Sequence, residues 1–333
     1  MAGPPILLAI TDHLEGPAGR PSRQVYGEIA SLTRAADAAG IDYFFYSEHH
    51  AHAHHGHCPA PLLFALHVAS QTSRIRLGTG IICLNLHNPL AVAEQVAVAD
   101  VLMNGRLSPG FGSGSTPEEY TLFGLCEPPE EQRHASFGRA LGAIKAAWEG
   151  GSPPVGDCKP RLANRAFVAV NSPGSAAVAG RLDFHMLFSH LRTPAQHRAY
   201  VEAYRGAGGK GLVATNRPLY VAETDAGARR DLEPALRTLW RRFRREGKIP
   251  SSMAEPRNIE DLAAHPINFV FGSPESVAGQ LAELHRQCPY DIGNFEVRWA
   301  DLPCEHVHSC VQLLATKVRV RLNELIQPVT TTE

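Results

Sequence analysis

A parallel α/β barrel is the fold class predicted by this 333-residue sequence, on three observations. Short apolar runs alternate with amphipathic stretches along the chain, the pattern of repeated strand-helix units that builds parallel strands under helical cover. About eight strand positions recur, which favours a closed barrel over an open sheet. A hydrophobic content of 44% over this length can bury one large core.

The elements follow in order. Pro5 to Ile10 predicts a short buried strand, and Arg23 to Ala39 a helix closed by Gly40 as a left-handed cap. Asp42 to Tyr46 is the second strand. Pro59 to Gln71 opens on proline, as helices often do, and Ile75 to Ile82 is the third strand. Pro89 to Met103 is a helix stopped by Asn104-Gly105. Leu107 to Gly112 predicts strand four, although Pro109 fits a strand only at an edge or bulge. The rhythm continues with strand Ala166 to Val170, helix Pro173 to Arg181, strand Phe184 to Ser189, helix Pro194 to Ala207, strand Pro218 to Ala222 and helix Ala226 to Glu246. Helix Pro274 to Gln287, strand Asn294 to Trp299 and helix Glu305 to Leu325 close the chain. The segments 113–133, 152–165 and 247–268 read as loop insertions within one domain spanning 1–333.

Composition narrows the function. Lys plus Arg (32) nearly balances Asp plus Glu (33), so there is no overall basic field of the kind nucleic-acid binding uses, and small-molecule partners are expected. The seven cysteines, at 58, 83, 126, 158, 288, 304 and 310, are scattered and include no Cys-x-x-Cys. That argues against a disulfide framework and a thiolate zinc site, and for a reducing cytoplasmic compartment. No export signal or membrane span is expected, because no run of about 18 apolar residues occurs.

Three patterns carry candidate chemistry. Six histidines crowd Glu48-His49-His50-Ala51-His52-Ala53-His54-His55-Gly56-His57, directly after strand two. Glu48, His49, His50 and His52 offer metal-ligating atoms, but neighbours at an extended strand end face opposite ways, so His49 and His50 cannot both enter one cavity. The ends of strands three and four supply no partner ligands, so no metal site is expected. Second, Gly110-Phe111-Gly112-Ser113-Gly114-Ser115 lets backbone approach a flat or anionic ligand, though it does not match the dinucleotide fingerprint. Third, Asn171-Ser172-Pro173-Gly174-Ser175 joins a strand to a helix, and such a terminus serves as a phosphate site or as a plain N-cap.

Together these segments resemble the bacterial-luciferase-like family of flavin-dependent monooxygenases. The residues that carry the resemblance are Ser47-Glu48-His49-His50, Thr72 to Gly80, Asn88 to Gln95, Asp100 to Leu107, Tyr120 to Gly124, Asn171 to Ala179 and Val270 to Glu275. The resemblance implies a TIM (β/α)8 barrel with loop insertions that binds reduced FMN at the C-terminal ends of its strands. It also implies reaction with O2 through a C4a-peroxyflavin to oxygenate a small organic substrate, with reduced flavin supplied by a separate reductase. By position it makes His49 and Glu48 catalytic, and assigns cofactor contacts to His50, Thr79, Gly80, Ile81, Glu94, Gly112, Ser113, Asn171, Ser172 and Ser175. It further implies a non-proline cis peptide at Gly80-Ile81 and a homodimer through the second and third helices. One departure is Ser113, where the luciferase proper has an arginine that pairs with the FMN phosphate; Arg192 or Arg181 could supply the missing charge. A deazaflavin-dependent dehydrogenase, a non-catalytic flavin-binding relative and a metal-dependent barrel hydrolase are the rival readings.

Overall fold

The structure, a computed structural model, describes residues 4–16, 19–50, 57–114, 117–150, 162–189, 191–264, 266–299 and 302–327. The elements are β1 (Leu7–Asp12), α1 (Ser22–Ala39), β2 (Tyr43–Tyr46), α2 (Pro61–Ala69), β3 (Arg76–Thr79), β4 (Ile82–Cys83), α3 (Pro89–Leu102), β5 (Leu107–Ser108), β6 (Gly110–Gly112), α4 (Pro117–Leu122) and α5 (Glu130–Gly150). They continue as β7 (Phe167–Val170), α6 (Pro173–Leu182), β8 (His185–Phe188), α7 (Pro194–Gly206), β9 (Val213–Val221), α8 (Asp225–Arg245), α9 (Ile259–Ala263), β10 (Val270–Gly272), α10 (Pro274–Gln287), β11 (Ile292–Glu296), α11 (Cys304–Leu313) and α12 (Arg319–Ile326). A π-helical turn, Leu314–Val318, joins the last two helices.

All the strand pairs are parallel, and they close a ring. β1 pairs with β2 and β11, β2 with β3, β3 with β5, β4 with β6, β6 with β7, β7 with β8, β8 with β9 and β9 with β11. Counting β3/β4 and β5/β6 as two interrupted strands gives the eight-stranded barrel that the alternation predicts; β10 adds only to the far end of β9. The predicted strands three and four are thus each split in two. The break in the first lies at Gly80-Ile81, whose peptide bond is cis as the resemblance implied, and the break in the second lies at Pro109.

Local chemistry explains the helix boundaries. Gly40 closes α1 at φ 89°, a left-handed conformation that costs glycine nothing. The Asn88 side chain accepts hydrogen bonds from the backbone N–H groups of Leu90 and Ala91 (3.0 and 3.2 Å), and Pro89 fills the first turn of α3. Three helices were not anticipated: α4 lies wholly and α5 partly in the 113–133 segment read as a loop, and α9 lies within the 247–268 segment. The apolar residues of α5, Phe137, Leu141, Ile144 and Trp148, are buried at i, i+4, i+7 and i+11, so its helical period is genuine but interrupted by small residues. Of the 152–165 insertion, residues 152–161 lie outside the described residues, as do His52, His54 and His55 of the histidine run.

Several polar residues, Asp100 and Arg106 of the motifs among them, prove to be structural clamps away from the strand ends that line the mouth. The buried Asp37 carboxylate accepts from the backbone N–H groups of Ser73, Arg74 and Ile75 at 2.8 to 3.0 Å, tying α1 to the entry of β3. Arg165 makes a two-pronged contact to Asp100 (2.8 Å each) and donates to the Gly105 and Leu107 carbonyls. Arg106 donates to Thr72 Oγ1 and to the Ala69 and Ile75 carbonyls.

Side-chain size along the barrel axis decides where the space is. Ala9, Phe45, Phe167, Leu187, Ala214 and Ile292 fill the interior. Towards the C-terminal ends the inward positions become Thr11, Ser47, Gly80, Gly112, Ala169 and Asn216, and these small residues border a cavity of about 450 Å³ at the mouth. Gly110 is required by a close approach, because a Cβ there would lie 2.2 Å from the Thr79 carbonyl oxygen. Gly110→Ala is therefore expected to cost about 2 kcal/mol or more, read as a lower urea midpoint in unfolding followed by circular dichroism; an unchanged midpoint would show that this seam can relax.

Candidate functional site

The end of β2 divides its residues between two faces, as strand alternation requires. Ser47 and His49 border the mouth cavity, whereas His50 turns away from it and pairs with Glu48, which borders both the mouth and the groove between α2 and α3. The Ser47 hydroxyl donates to the Gly80 carbonyl (2.7 Å), and the Glu48 N–H donates to the Ile81 carbonyl (3.1 Å), so both carbonyls around the cis bond are held by β2. Ile81 lies in the space beside Gly112: a Cβ on that glycine would come within 2.7 Å of it.

Glu48 is a buried carboxylate that accepts three hydrogen bonds. Its Oε1 accepts from His50 Nε2 and His87 Nε2, both at 2.7 Å, and its Oε2 accepts from the Cys83 N–H at 3.1 Å. Burial pushes its pKa up, but the hydrogen bonds and charges of the two imidazoles outweigh this and hold it below the ordinary carboxylate range. His87 is raised in turn, chiefly by its bond to Glu48. The ligand atoms of Glu48, His50 and His87 lie within 4.8 Å of one another, a donor set that could take a metal ion. Nevertheless two imidazole donors and one amide N–H satisfy the carboxylate without one. His87 comes from the loop after β4, a partner that strand-end reasoning had not counted.

His49 belongs to a second network. Its Nε2 lies 3.3 Å from His13 Nδ1, and its Nδ1 lies 4.0 Å from Oε1 of the buried Glu119, which also accepts the His50 N–H at 2.9 Å. His13 Nε2 in turn faces Glu296 Oε2 at 3.5 Å, and Glu296 Oε1 accepts from Asn216 Nδ2 at 2.8 Å. Burial lowers the His13 pKa, but Glu296, with Glu15 and Asp12 behind it, raises it overall. The loop carrying His13 is anchored by Asp12, which receives Arg298 at 2.8 and 3.0 Å, and by Arg242, which reaches Glu15 at 2.6 Å.

The opposite wall of the cavity includes Val170, Leu187, Phe188, Leu191 and Arg192. Two buried side chains hold the loop from which Arg192 projects. His197 stacks on Phe188 with ring centres 4.0 Å apart and donates to the Ser189 carbonyl, while Arg217 donates to the Arg192 carbonyl. Burial, helped by Arg217, pushes the His197 pKa down to about 3, so its ring is neutral at ordinary pH.

Of the residues expected at the site, Glu48, His49, Gly80, Ile81, Gly112, Ser113 and Asn171 line the cavity, and His50, Thr79, Glu94, Ser172 and Ser175 do not. Thr79 is fully buried, bonding Gly110 across the seam. Ser172 and Ser175 form a reciprocal capping box at the start of α6, so their hydroxyls serve the helix terminus. Glu94 lies on the exposed face of α3, in a separate groove of about 540 Å³ between α2 and α3 that Glu48 and His87 also border. Arg181 is exposed in the last turn of α6, at the end of that helix away from Asn171. His13, Glu119, Asn216 and Glu296 were missed. The expected β1 stopped two residues short of Asp12 and the expected β11 ran on to Trp299, so neither His13 nor Glu296 stood at a strand end.

Glu48→Gln keeps the shape but loses the charge, and is expected to destabilise the protein by about 2 kcal/mol at neutral pH. Because the folded-state pKa of Glu48 is lowered, this difference is present above the ordinary carboxylate value and fades as pH falls through the folded-state pKa. Melting temperatures of the two proteins compared from pH 7 downward check it, and a gap that stays constant into strong acid would contradict it.

Comparison with known proteins fits this geometry. The model of the family described as luciferase-like monooxygenase matches residues 7–289. The oxygenase component of a flavin-dependent trigonelline monooxygenase from Acinetobacter baylyi is 24% identical over 322 residues, 84% of each chain. An F420-dependent glucose-6-phosphate dehydrogenase from Beutenbergia cavernae is 31% identical over 169 residues, 46% of this chain and 50% of that one, so the chain spans about half the length of that relative. The fold matches the oxygenating constituent of 3,6-diketocamphane monooxygenase from Pseudomonas putida, solved in complex with FMN, with TM-score 0.76 and 18% identity over 95% of this chain and 98% of that one. A barrel whose mouth cavity is bordered by His49 and a cis Gly80-Ile81 bond, with a family match over most of its length, makes this chain a member of the luciferase-like monooxygenase family.

Proposed function

We propose that this protein is the oxygenase component of a two-component monooxygenase, using reduced FMN from a separate reductase and O2 to oxygenate a small organic substrate. The observation that carries the reading is the mouth cavity, with the His49 imidazole on one wall and the Arg192 guanidinium on another. The residues present fit a flavin. A cavity of this size suits a cofactor-sized ligand, glycines 80 and 112 keep one side low, and Ile81, Val170, Leu187 and Phe188 offer apolar contact to a flat ring. Two buried polar atoms there, Asn216 Oδ1 and Arg192 Nε, have no protein partner and would gain one from a bound ligand.

Reduced FMN, when bound, would supply the electrons that activate dioxygen. Arg192 would oppose the charge of its phosphate, taking the place of the arginine missing at Ser113. The apolar wall would exclude water, and His49 would hold or move a proton at its ring nitrogens, since imidazole titrates near neutrality. Glu48, bound by three donors, would keep the end of β2 and the Gly80-Ile81 segment in place.

A second reading, an F420-dependent dehydrogenase, is favoured by the matches to F420-dependent proteins. Anaerobic titration with reduced FMN, riboflavin and reduced F420 separates them. FMN binding more tightly than riboflavin is expected if Arg192 meets the phosphate, and preference for F420 would overturn the monooxygenase reading. His49→Ala is expected to retain flavin affinity, lose product by about 100-fold or more and release more hydrogen peroxide per reduced flavin; unchanged product yield would remove His49 from its role. The groove between α2 and α3, lined by Leu63 and Val98 at 69% and 46% exposure, supports a homodimer through these helices. Sedimentation velocity is expected to show a dimer, and a monomer at micromolar concentration would exclude it.

A further inference from the structure

We infer that the β1–β11–β9 side of the mouth is a substrate subsite that reads a neutral hydrogen-bond donor, such as a phenolic hydroxyl on an otherwise apolar ring, through Oδ1 of Asn216. The inference rests on the monooxygenase reading for the ligand's role as substrate, and on the wall itself for the ligand's chemistry. β1, β11 and β9 are neighbours in the barrel ring, and the residues they contribute to the cavity border are all polar: Thr11, Glu296 and Asn216. Around β7 and β8 the border carries Val170, Leu187 and Phe188, the apolar wall already assigned to the flat ring. The polar side is therefore left for a second ligand.

The Asn216 amide is oriented by its neighbour. An ionised carboxylate accepts hydrogen bonds and has none to give, so the buried Glu296 takes the Nδ2 group at Oε1, 2.8 Å away. That leaves Oδ1 as the amide's other end. It is buried and has no hydrogen-bond partner among the described residues, in a side chain that borders the cavity while the residue is only 8% exposed. Such an acceptor has lost water and gained nothing in return, and a ligand that donates to it removes the penalty.

The rest of the wall narrows the donor's character. Thr11 Oγ1 donates to Asn294 Oδ1 at 3.0 Å, so its single hydrogen is turned toward β11 and it too can offer the cavity only lone pairs. Glu296 is met at both oxygens, by Asn216 at Oε1 and by His13 Nε2 at 3.5 Å from Oε2. A ligand at Asn216 thus meets a neutral amide oxygen, which suits a neutral donor without requiring a cation. A group that only accepts would set its lone pairs against those of Asn216, and one that only packs would leave Oδ1 unpaired. Rejection of both is the stronger part of the selectivity, because the penalty falls on the protein's own buried atom. An anionic group is drawn instead to Arg192 on another wall, so the two ligands are sorted by chemistry.

Phenol and toluene, nearly equal in shape, test this. Each is titrated anaerobically into the protein holding reduced FMN and into the protein without cofactor, followed by the side-chain amide resonances of nitrogen-labelled asparagine; that of Asn216 is assigned by its loss in Asn216→Leu. Phenol is expected to shift the Asn216 resonance and to bind about 10-fold or more tightly than toluene. Asn216→Leu is expected to abolish the preference while leaving reduced-FMN affinity unchanged. Glu296→Gln is expected to weaken the preference as well, since a glutamine amide can donate to Asn216 Oδ1 and satisfy it, and this variant serves if Asn216→Leu does not fold. Equal affinity for the two probes, phenol binding that leaves the Asn216 resonance unmoved, or a preference that survives in both variants overturns the subsite. Loss of reduced-FMN affinity in Asn216→Leu also overturns it, by showing that the amide serves the flavin. Donor preference in a protein that selects F420 over FMN would retain the subsite and reject the monooxygenase reading, so the two failures are distinct.

Discussion

The position of the whole site depends on Glu48, a buried carboxylate that accepts three hydrogen bonds from three different segments. An unpaired charge in that place would cost several kcal/mol, so the donors and the acceptor must fold together. His50 comes from the same strand end, His87 from the loop after β4, and the Cys83 amide from β4 itself. Their convergence fixes where β2 ends relative to the Gly80-Ile81 segment. Once His50 turns to Glu48, alternation turns His49 the other way, into the mouth. One electrostatic constraint thereby turns His49 rather than His50 toward the cavity.

Much of this was legible in the sequence because it depends on short-range rules. Strand alternation separates His49 from His50, Asn88 and Ser172 cap their helices, and glycine follows α1 where a left-handed turn is needed. What could not be read depends on contacts between distant segments. His87 lies 39 residues from Glu48, and Glu296 lies at the far end of the chain from His13. Nothing in the local pattern around His87 marks it as a partner. The helix α5 escaped for another reason: glycine and alanine dilute its apolar period, and tertiary packing of Phe137, Leu141, Ile144 and Trp148 rather than propensity makes it a helix.

The motifs that made the family recognisable largely report the barrel. Asp100 and Arg106 of those motifs, with Asp37 and Arg165 outside them, clamp helix ends and strand entries, and none of the four borders the cavity. Such residues pair a buried charge with backbone groups, an arrangement that is expensive to disturb and indifferent to the ligand bound at the opposite end. The residues that border the mouth between β8 and α7, such as Leu191 and Arg192, are placed by loop geometry rather than by barrel packing.

At that rim the charges are arranged asymmetrically. Glu119 and Glu296 lie behind the two histidines on one side, and Arg192 faces the cavity from another. At His13 burial works against the charged ring and the carboxylates outweigh it, while a guanidinium bordering the same cavity attracts an anion. An anionic ligand seated beside Arg192 would therefore meet positive charge on one part of the mouth and imidazoles on another. This asymmetry requires only that the groups share one cavity, and the walls of the barrel mouth bring them there.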